Sequence, residues 1–186
     1  MRATKEEIRT RLISQRISLE KDTVELAGNT ITRAFIEAKL LTDIRNILCY
    51  IATGNEVETK LLIDNLQSLD KNVYVPAFDY DRKVYVFARF NGWGNLVLGP
   101  YGVKQPADSG EIESIDLAIL PGVAFDTKGY RLGYGKGVYD RLLAGSPALR
   151  VGFAYDFQIV DRLPAEKHDL KMDFIITEKR ILRVKS

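Results

Sequence analysis

The sequence predicts an α/β protein folded as a single domain over residues 1–186: a mainly parallel, doubly wound sheet with flanking helices and a small hairpin excursion. Three observations predict it. Short apolar runs rich in β-branched residues recur along the chain, as strands buried on both faces require. Segments with helical spacing separate them, and parallel strands joined through helices make right-handed crossovers. A chain of 186 residues with 46% hydrophobic content suits one well-buried core and is short for two. No internal repeat or low-complexity segment interrupts the pattern.

Taken in order, Lys5 to Leu19 places Ile8, Leu12, Ile13 and Ile17 near helical spacing, with Lys5, Glu6, Arg9 and Arg16 on other faces. A second helix over Glu20 to Leu41 would bury Val24, Ile31, Phe35 and Ala38. The run IRNILCYIA at 44–52 reads as a buried strand, and TGNEVET at 53–59 as a turn whose Thr59 caps a helix over KLLIDNLQSL. NVYVPAF at 72–78 is the next strand. KVYVFARF at 83–90 alternates, and Gly92, Gly94 and Gly99 punctuate the residues after it, so a hairpin or edge excursion is expected rather than another crossover. IDLAILPG at 115–122, LRVGFAYD at 149–156 and DFIITE at 173–178 complete the strands, with a short helix near Gly137 to Leu143.

The 27 Lys and Arg against 25 Asp and Glu leave a formal charge of +2, too balanced for the broad basic footprint of nonspecific duplex binding. Any anion site must therefore be local, and no nucleic-acid partner is expected. MRATKEEIRTR carries charges where a signal peptide would be apolar, and ILCYIA is far too short to span a bilayer. A soluble, cytoplasmic monomer with no membrane partner is the expectation. The single cysteine, Cys49, excludes an internal disulfide and a cysteine metal cluster, and its apolar setting predicts a buried thiol.

In doubly wound folds, ligands sit beyond the carboxyl ends of the strands. GYRLGYGKGVYDR, residues 129–141, follows DLAIL there. It fits neither a P-loop, since Lys136 precedes Gly137 rather than Ser or Thr, nor the dinucleotide fingerprint, since Val138 stands where the third glycine belongs. What remains is a backbone whose N–H groups can converge on an anion, a helix starting near Gly137 to add its positive end, and the full charges of Arg131 and Lys136. Lys5 and Arg9 lie one helical turn apart, so both can face one anion. The acids Glu56, Asp126, Asp140, Asp156 and Asp173 lie near strand ends, and Mg²⁺ on a phosphate chain wants one or two carboxylates. The plainer readings stay open: solvated cations on a surface loop, Asp140 pairing with Arg141 or capping, Asp173 only starting a strand. His168, the lone histidine, is expected to hold a loop.

The run LPGVAFDTKGYRLGYGKGVYDRLL at 120–143, with KEEIR at 5–9, NEVET at 55–59 and LPAEKHDLKMDFIITE at 163–178, resembles the 5-formyltetrahydrofolate cyclo-ligase family, in order and over essentially the whole chain. The resemblance implies an ATP- and Mg²⁺-dependent ligase that cyclises 5-formyltetrahydrofolate to 5,10-methenyltetrahydrofolate, with ATP and a reduced folate as its partners. It implies that Lys5 and Arg9 contact the ATP phosphates and that Gly129, Tyr130, Arg131, Leu132, Gly133, Tyr134, Gly135, Lys136 and Gly137 wrap the nucleotide. Arg131 and Lys136 would stabilise charge on the transferring group as the catalytic residues. Asp140 and Asp173 match the magnesium positions, Ile51 and Glu56 the folate segment, and Tyr134 and Tyr139 supply aromatic walls. One departure stands out: the family often has tyrosine where this chain has Val138. The competing class is a nucleotide- or sugar-phosphate-binding α/β protein without ligase activity.

Overall fold

The structure is a computed structural model that describes residues 3–107, 112, 114–164, 166 and 169–184. His168 lies outside the described residues. Helix α1 spans Lys5–Ile17 and opens on a reciprocal cap: Thr4 accepts from the Glu7 backbone N–H while the Glu7 carboxylate accepts from the Thr4 N–H. Helix α2, Lys21–Glu37, stops before the expected Leu41 because Lys39 turns to φ 55°, outside the helical region. Helix α3 spans Lys60–Ser68 and α4 only Val138–Leu142. Thr59 occupies the N-cap position of α3 but does not cap it. Its hydroxyl donates to the Tyr50 carbonyl at 2.6 Å, and the Glu58 carboxylate takes the Thr59 and Lys60 N–H groups instead.

The strands are β1 Asn46–Leu48, β2 Asn72–Asp79, β3 Val84–Arg89, β4 Leu96–Leu98, β5 Lys104–Pro106, β6 Leu117–Leu120, β7 Ala124–Asp126, β8 Arg131–Leu132, β9 Leu149–Phe153, β10 Ile159–Val160, β11 Phe174–Ile176 and β12 Ile181–Arg183. Seven form the main sheet in the order β12-β11-β9-β6-β1-β2-β3. The inner five are parallel, and the edges β3 and β12 are antiparallel. From β1 the chain winds one way to β2 and then the other way through β6, β9 and β11, so the winding reverses between β1 and β6. That is the doubly wound topology, with its crevice at the reversal. The expected excursion is present as the β2–β3 hairpin followed by the separate β4–β5 pair.

Side-chain alternation assigns the two faces. Ile47, Ile119 and Val151 pack with Ile31 and Phe35 of α2 and Leu62 and Leu66 of α3, whereas Leu48, Ala118 and Leu120 face Phe125, Leu143 and Met172. Helices α2 and α3 thus cover one face, and the other is closed by α4 and the β7–β8 turn. Cys49 is fully buried on the helical face, and desolvation pushes its thiol up to about 12.

Three of the acids near strand ends are held by protein donors, Asp126 and Asp173 by backbone N–H groups and Asp156 by side chains. The Asp126 carboxylate is wholly buried and accepts the N–H groups of Lys128, Tyr130 and Leu163, which fixes the turn between β7 and β8. Asp156 accepts from Thr177 and Arg180. Asp173 precedes β11 at its amino end and accepts the Arg150 N–H at 2.8 Å.

Candidate active site

Beyond the carboxyl ends of β1 and β6 lies a cavity of about 960 Å³. One wall is α1, which turns Lys5, Arg9, Ile13 and Arg16 toward it. Lys5 Nζ bonds the Glu166 carboxylate at 2.9 Å and Asp169 at 3.5 Å, and the Glu166 bond raises its pKa. Arg9 Nε donates to the Gly133 carbonyl at 2.9 Å, tying α1 to the glycine-rich loop. The two cations expected to share a face do share it.

The opposite wall is the loop after β8. Gly135 has φ 88° and Gly137 φ 59°, left-handed conformations that a side chain would strain, and these turn the backbone back over the cavity. Arg131 is almost enclosed, its side chain 6% exposed; Nη2 meets both Asp140 oxygens at 3.0 and 3.2 Å while Nη1 reaches the Pro121 carbonyl. The same guanidinium lies 5.6 Å from the centre of the Tyr139 ring. Asp140 therefore pairs with Arg131, not Arg141. Lys136 stays exposed, its ammonium 5.1 Å from the centre of the Tyr101 ring. At five residues, α4 sums too few peptide dipoles to supply the expected helix-end charge, so the side chains carry the positive field.

The inner end is different in character. Tyr50, Ile51, Val75, Pro76, Tyr85 and Tyr139 make it largely apolar, and Glu56 enters from the loop after β1. Glu56 is 7% exposed, and burial raises its pKa; hydrogen bonds from the Thr53 N–H and hydroxyl, with the nearby Arg16 charge, oppose that rise. Both Thr53 bonds go to Oε2, at 3.1 and 3.3 Å, which leaves Oε1 for the cavity. Desolvation also holds the Tyr50 and Tyr139 phenols well above their ordinary range, so both stay neutral.

Thus Lys5, Arg9, Ile51, Glu56, Arg131, Leu132, Gly133, Tyr134, Gly135, Lys136, Gly137, Tyr139 and Asp140 line one cavity. Three expected residues do not. Gly129 sits in the β7–β8 turn, where its N–H bonds Asp126 and its carbonyl bonds Met172. Tyr130 bridges to Lys171, whose ammonium lies over its ring. Asp173 is at the wrong end of its strand, so it and Asp140 are not brought together. Arg16 and the wall formed by Tyr85, Tyr101, Val103 and Gln105 were missed. The seven-residue step from Arg9 to Arg16, two helical turns, was the available signal for the first; the β2–β3 and β4–β5 wall is nonlocal and left none.

The model of the 5-formyltetrahydrofolate cyclo-ligase family matches residues 1–178. The chain belongs to this family. The cyclo-ligase family includes the 5-formyltetrahydrofolate cyclo-ligase of Haemophilus influenzae, 31% identical over 176 residues, which span 90% of this chain and 94% of the relative. The cyclo-ligase of Escherichia coli K12 is 29% identical over 143 residues, 73% of this chain and 79% of the relative. Among solved structures, the 5,10-methenyltetrahydrofolate synthetase of Aquifex aeolicus superposes with a TM-score of 0.86 at 29% identity, covering 98% of this chain and 93% of that one. The synthetase from Mycoplasma pneumoniae shares the fold with a TM-score of 0.73 at 23% identity, covering 95% and 99%.

Proposed function

We propose that this member of the cyclo-ligase family converts 5-formyltetrahydrofolate and ATP into 5,10-methenyltetrahydrofolate, ADP and phosphate, with Mg²⁺ required. The observation that carries the reading is the two-part cavity: a cationic, glycine-walled end continuous with an apolar end that holds one buried carboxylate. Its volume is within the range of small-molecule sites, at the upper end, as two ligands side by side require.

A formamide oxygen is a very poor leaving group. Transfer of the γ-phosphoryl group corrects this: the bond from the γ-phosphorus to the ADP oxygen breaks as a bond to the formyl oxygen forms. N10 then attacks the formyl carbon, its proton passes to solvent, and the carbon–oxygen bond breaks to release phosphate. Such chemistry is mainly positioning and charge neutralisation. Lys5 and Arg9 meet the phosphates along α1. Arg131 and Lys136 take the charge of the transferring group, Arg131 through a fork that Asp140 and Pro121 already aim. Glu56 accepts from the pterin N–H groups, against Ile51, with Tyr134 and Tyr139 as flat walls.

Mg²⁺ binds chiefly phosphate and water oxygens with one or two carboxylates, and bound there it would neutralise phosphate charge. Asp140 fits that need as a cavity carboxylate; Asp173 does not. The working form is read as a cytoplasmic monomer, and no described helix is long and apolar enough to cross a membrane. The test is the absorbance rise of the methenyl product when protein meets 5-formyltetrahydrofolate, ATP and Mg²⁺. A rise that vanishes without ATP supports the ligase. No rise in folded protein that binds ATP supports a nucleotide-binding protein without ligase activity.

A further inference from the structure

Among the described residues seven cations line the cavity, and one of them is unlike the rest. Lys5, Arg9 and Arg131 each have a carboxylate within 4.0 Å, and Lys104, Lys136 and Arg141 are exposed to water. Arg16 is 4% exposed and, among the described residues, has no ion-pair partner. Its guanidinium hydrogen-bonds only neutral groups: Nη1 donates to the Gly122 carbonyl at 3.4 Å, Nη2 to the Tyr134 hydroxyl, and Nε has no hydrogen-bond partner. A guanidinium cannot shed its proton, and this one makes every hydrogen bond to a neutral oxygen, with the Glu56 carboxylate near enough to feel its charge but not paired with it, so it is held at an electrostatic cost that an incoming anion would relieve.

Its position narrows what that anion is. Arg9 and Arg16 lie on one face of α1, and at 1.5 Å per residue Arg16 is about 10 Å farther along the axis, toward the folate end. The loop carrying Glu56 is fastened there, because Asn55 Nδ2 donates to the Arg16, Ile17 and Leu19 carbonyls. Tyr134, half exposed between Gly133 and Gly135, is the group that now takes the Nη2 bond. Arg16 is thus between the phosphate end and the Glu56 end, where a group passing from one ligand to the other must cross.

We propose that Arg16 is a further catalytic residue, whose buried fork binds the phosphoryl oxygens in transit from ATP to the formyl oxygen. This rests on the ligase reading above. The phosphoryl group carries its negative oxygens through the transfer and exchanges only its bridging bond, so Arg16 neutralises charge and moves no proton.

The test compares the parent with Arg16→Met, Arg16→Lys and Arg16→Ala, each checked for fold by circular dichroism. Arg16→Met should lower kcat about 100-fold, as expected for loss of one preorganised donor group. KM for ATP and for the folate should each stay within about threefold, since the contact strengthens only during transfer. Arg16→Lys keeps the charge without the fork and should still lose about tenfold in kcat. Millimolar guanidinium should restore turnover to Arg16→Ala. Folded variants with kcat near the parent's, or a loss confined to KM, would overturn the proposal. Should Arg16→Met not fold, a parent-like kcat in Arg16→Lys overturns it alone. A parent with no turnover overturns the ligase reading and this role together, whereas an active parent with insensitive variants overturns only the role of Arg16.

Discussion

Replacing Glu56 by glutamine should weaken catalysis and strengthen the fold at the same time. The carboxylate is buried, its Oε2 is occupied by Thr53, and its Oε1 is left for a ligand N–H. One hydrogen bond to a charged acceptor contributes about 1.5 to 3 kcal/mol, so kcat/KM for 5-formyltetrahydrofolate should fall roughly 10- to 150-fold. The stability effect has the opposite sign. Because burial raises the pKa, folding favours the protonated acid, and the associated stability is present below the ordinary value of 4.5 and lost as pH rises through the folded-state value. At pH 7 the parent therefore bears the cost of a buried charge that the glutamine variant lacks. Thermal unfolding should give Glu56→Gln the higher Tm at neutral pH, with the gap closing as pH drops below the ordinary carboxylate value. The rate assay should show a parent kcat/KM that declines as pH falls through the raised pKa, and a variant without that decline. A variant less stable than the parent at pH 7, or one with full kcat/KM, would refute the reasoning.

Lys136→Ala should cut turnover about 100-fold with an unchanged unfolding midpoint, because its ammonium is exposed and lies only over the Tyr101 ring. Asp126→Ala removes the buried acceptor of three backbone N–H groups, that of Leu163 in the interior, and should cost about 2 to 3 kcal/mol in urea unfolding; a loss below about 1 kcal/mol would remove its role as the clamp of the β7–β8 turn. Asp140→Asn should raise the Mg²⁺ concentration needed for half-maximal rate, whereas Asp173→Asn should leave it unchanged and show its effect only in stability. The reverse order would return Asp173 to the metal site.

How much was legible in the residues can be judged on the acids. From spacing alone, Glu56, Asp126, Asp140, Asp156 and Asp173 were equivalent, since each lay near the end of an apolar run. The fold divides them. Glu56 and Asp140 follow carboxyl ends and line the cavity, while Asp126 and Asp173 accept backbone donors from segments far away in the chain. The glycine-rich loop was divided in the same way: its outer part, Gly129 and Tyr130, reverses the chain between β7 and β8, and only Arg131 onward reaches the ligand end.

Local chemistry determined the α/β class, the succession of strands and helices, the hairpin after the second strand, and the glycine-rich run as a ligand wall. These follow from period, β-branching and turn residues, which act over a few positions. Only the tertiary structure decided the strand order, the reversal between β1 and β6, the enclosure of Arg16, and which carboxylates face the cavity rather than the backbone. Burial and hydrogen-bond partnership depend on segments far apart in the chain, 23 residues for Asp173 with Arg150 and 118 for Arg16 with Tyr134, and no local pattern encodes which of them will meet.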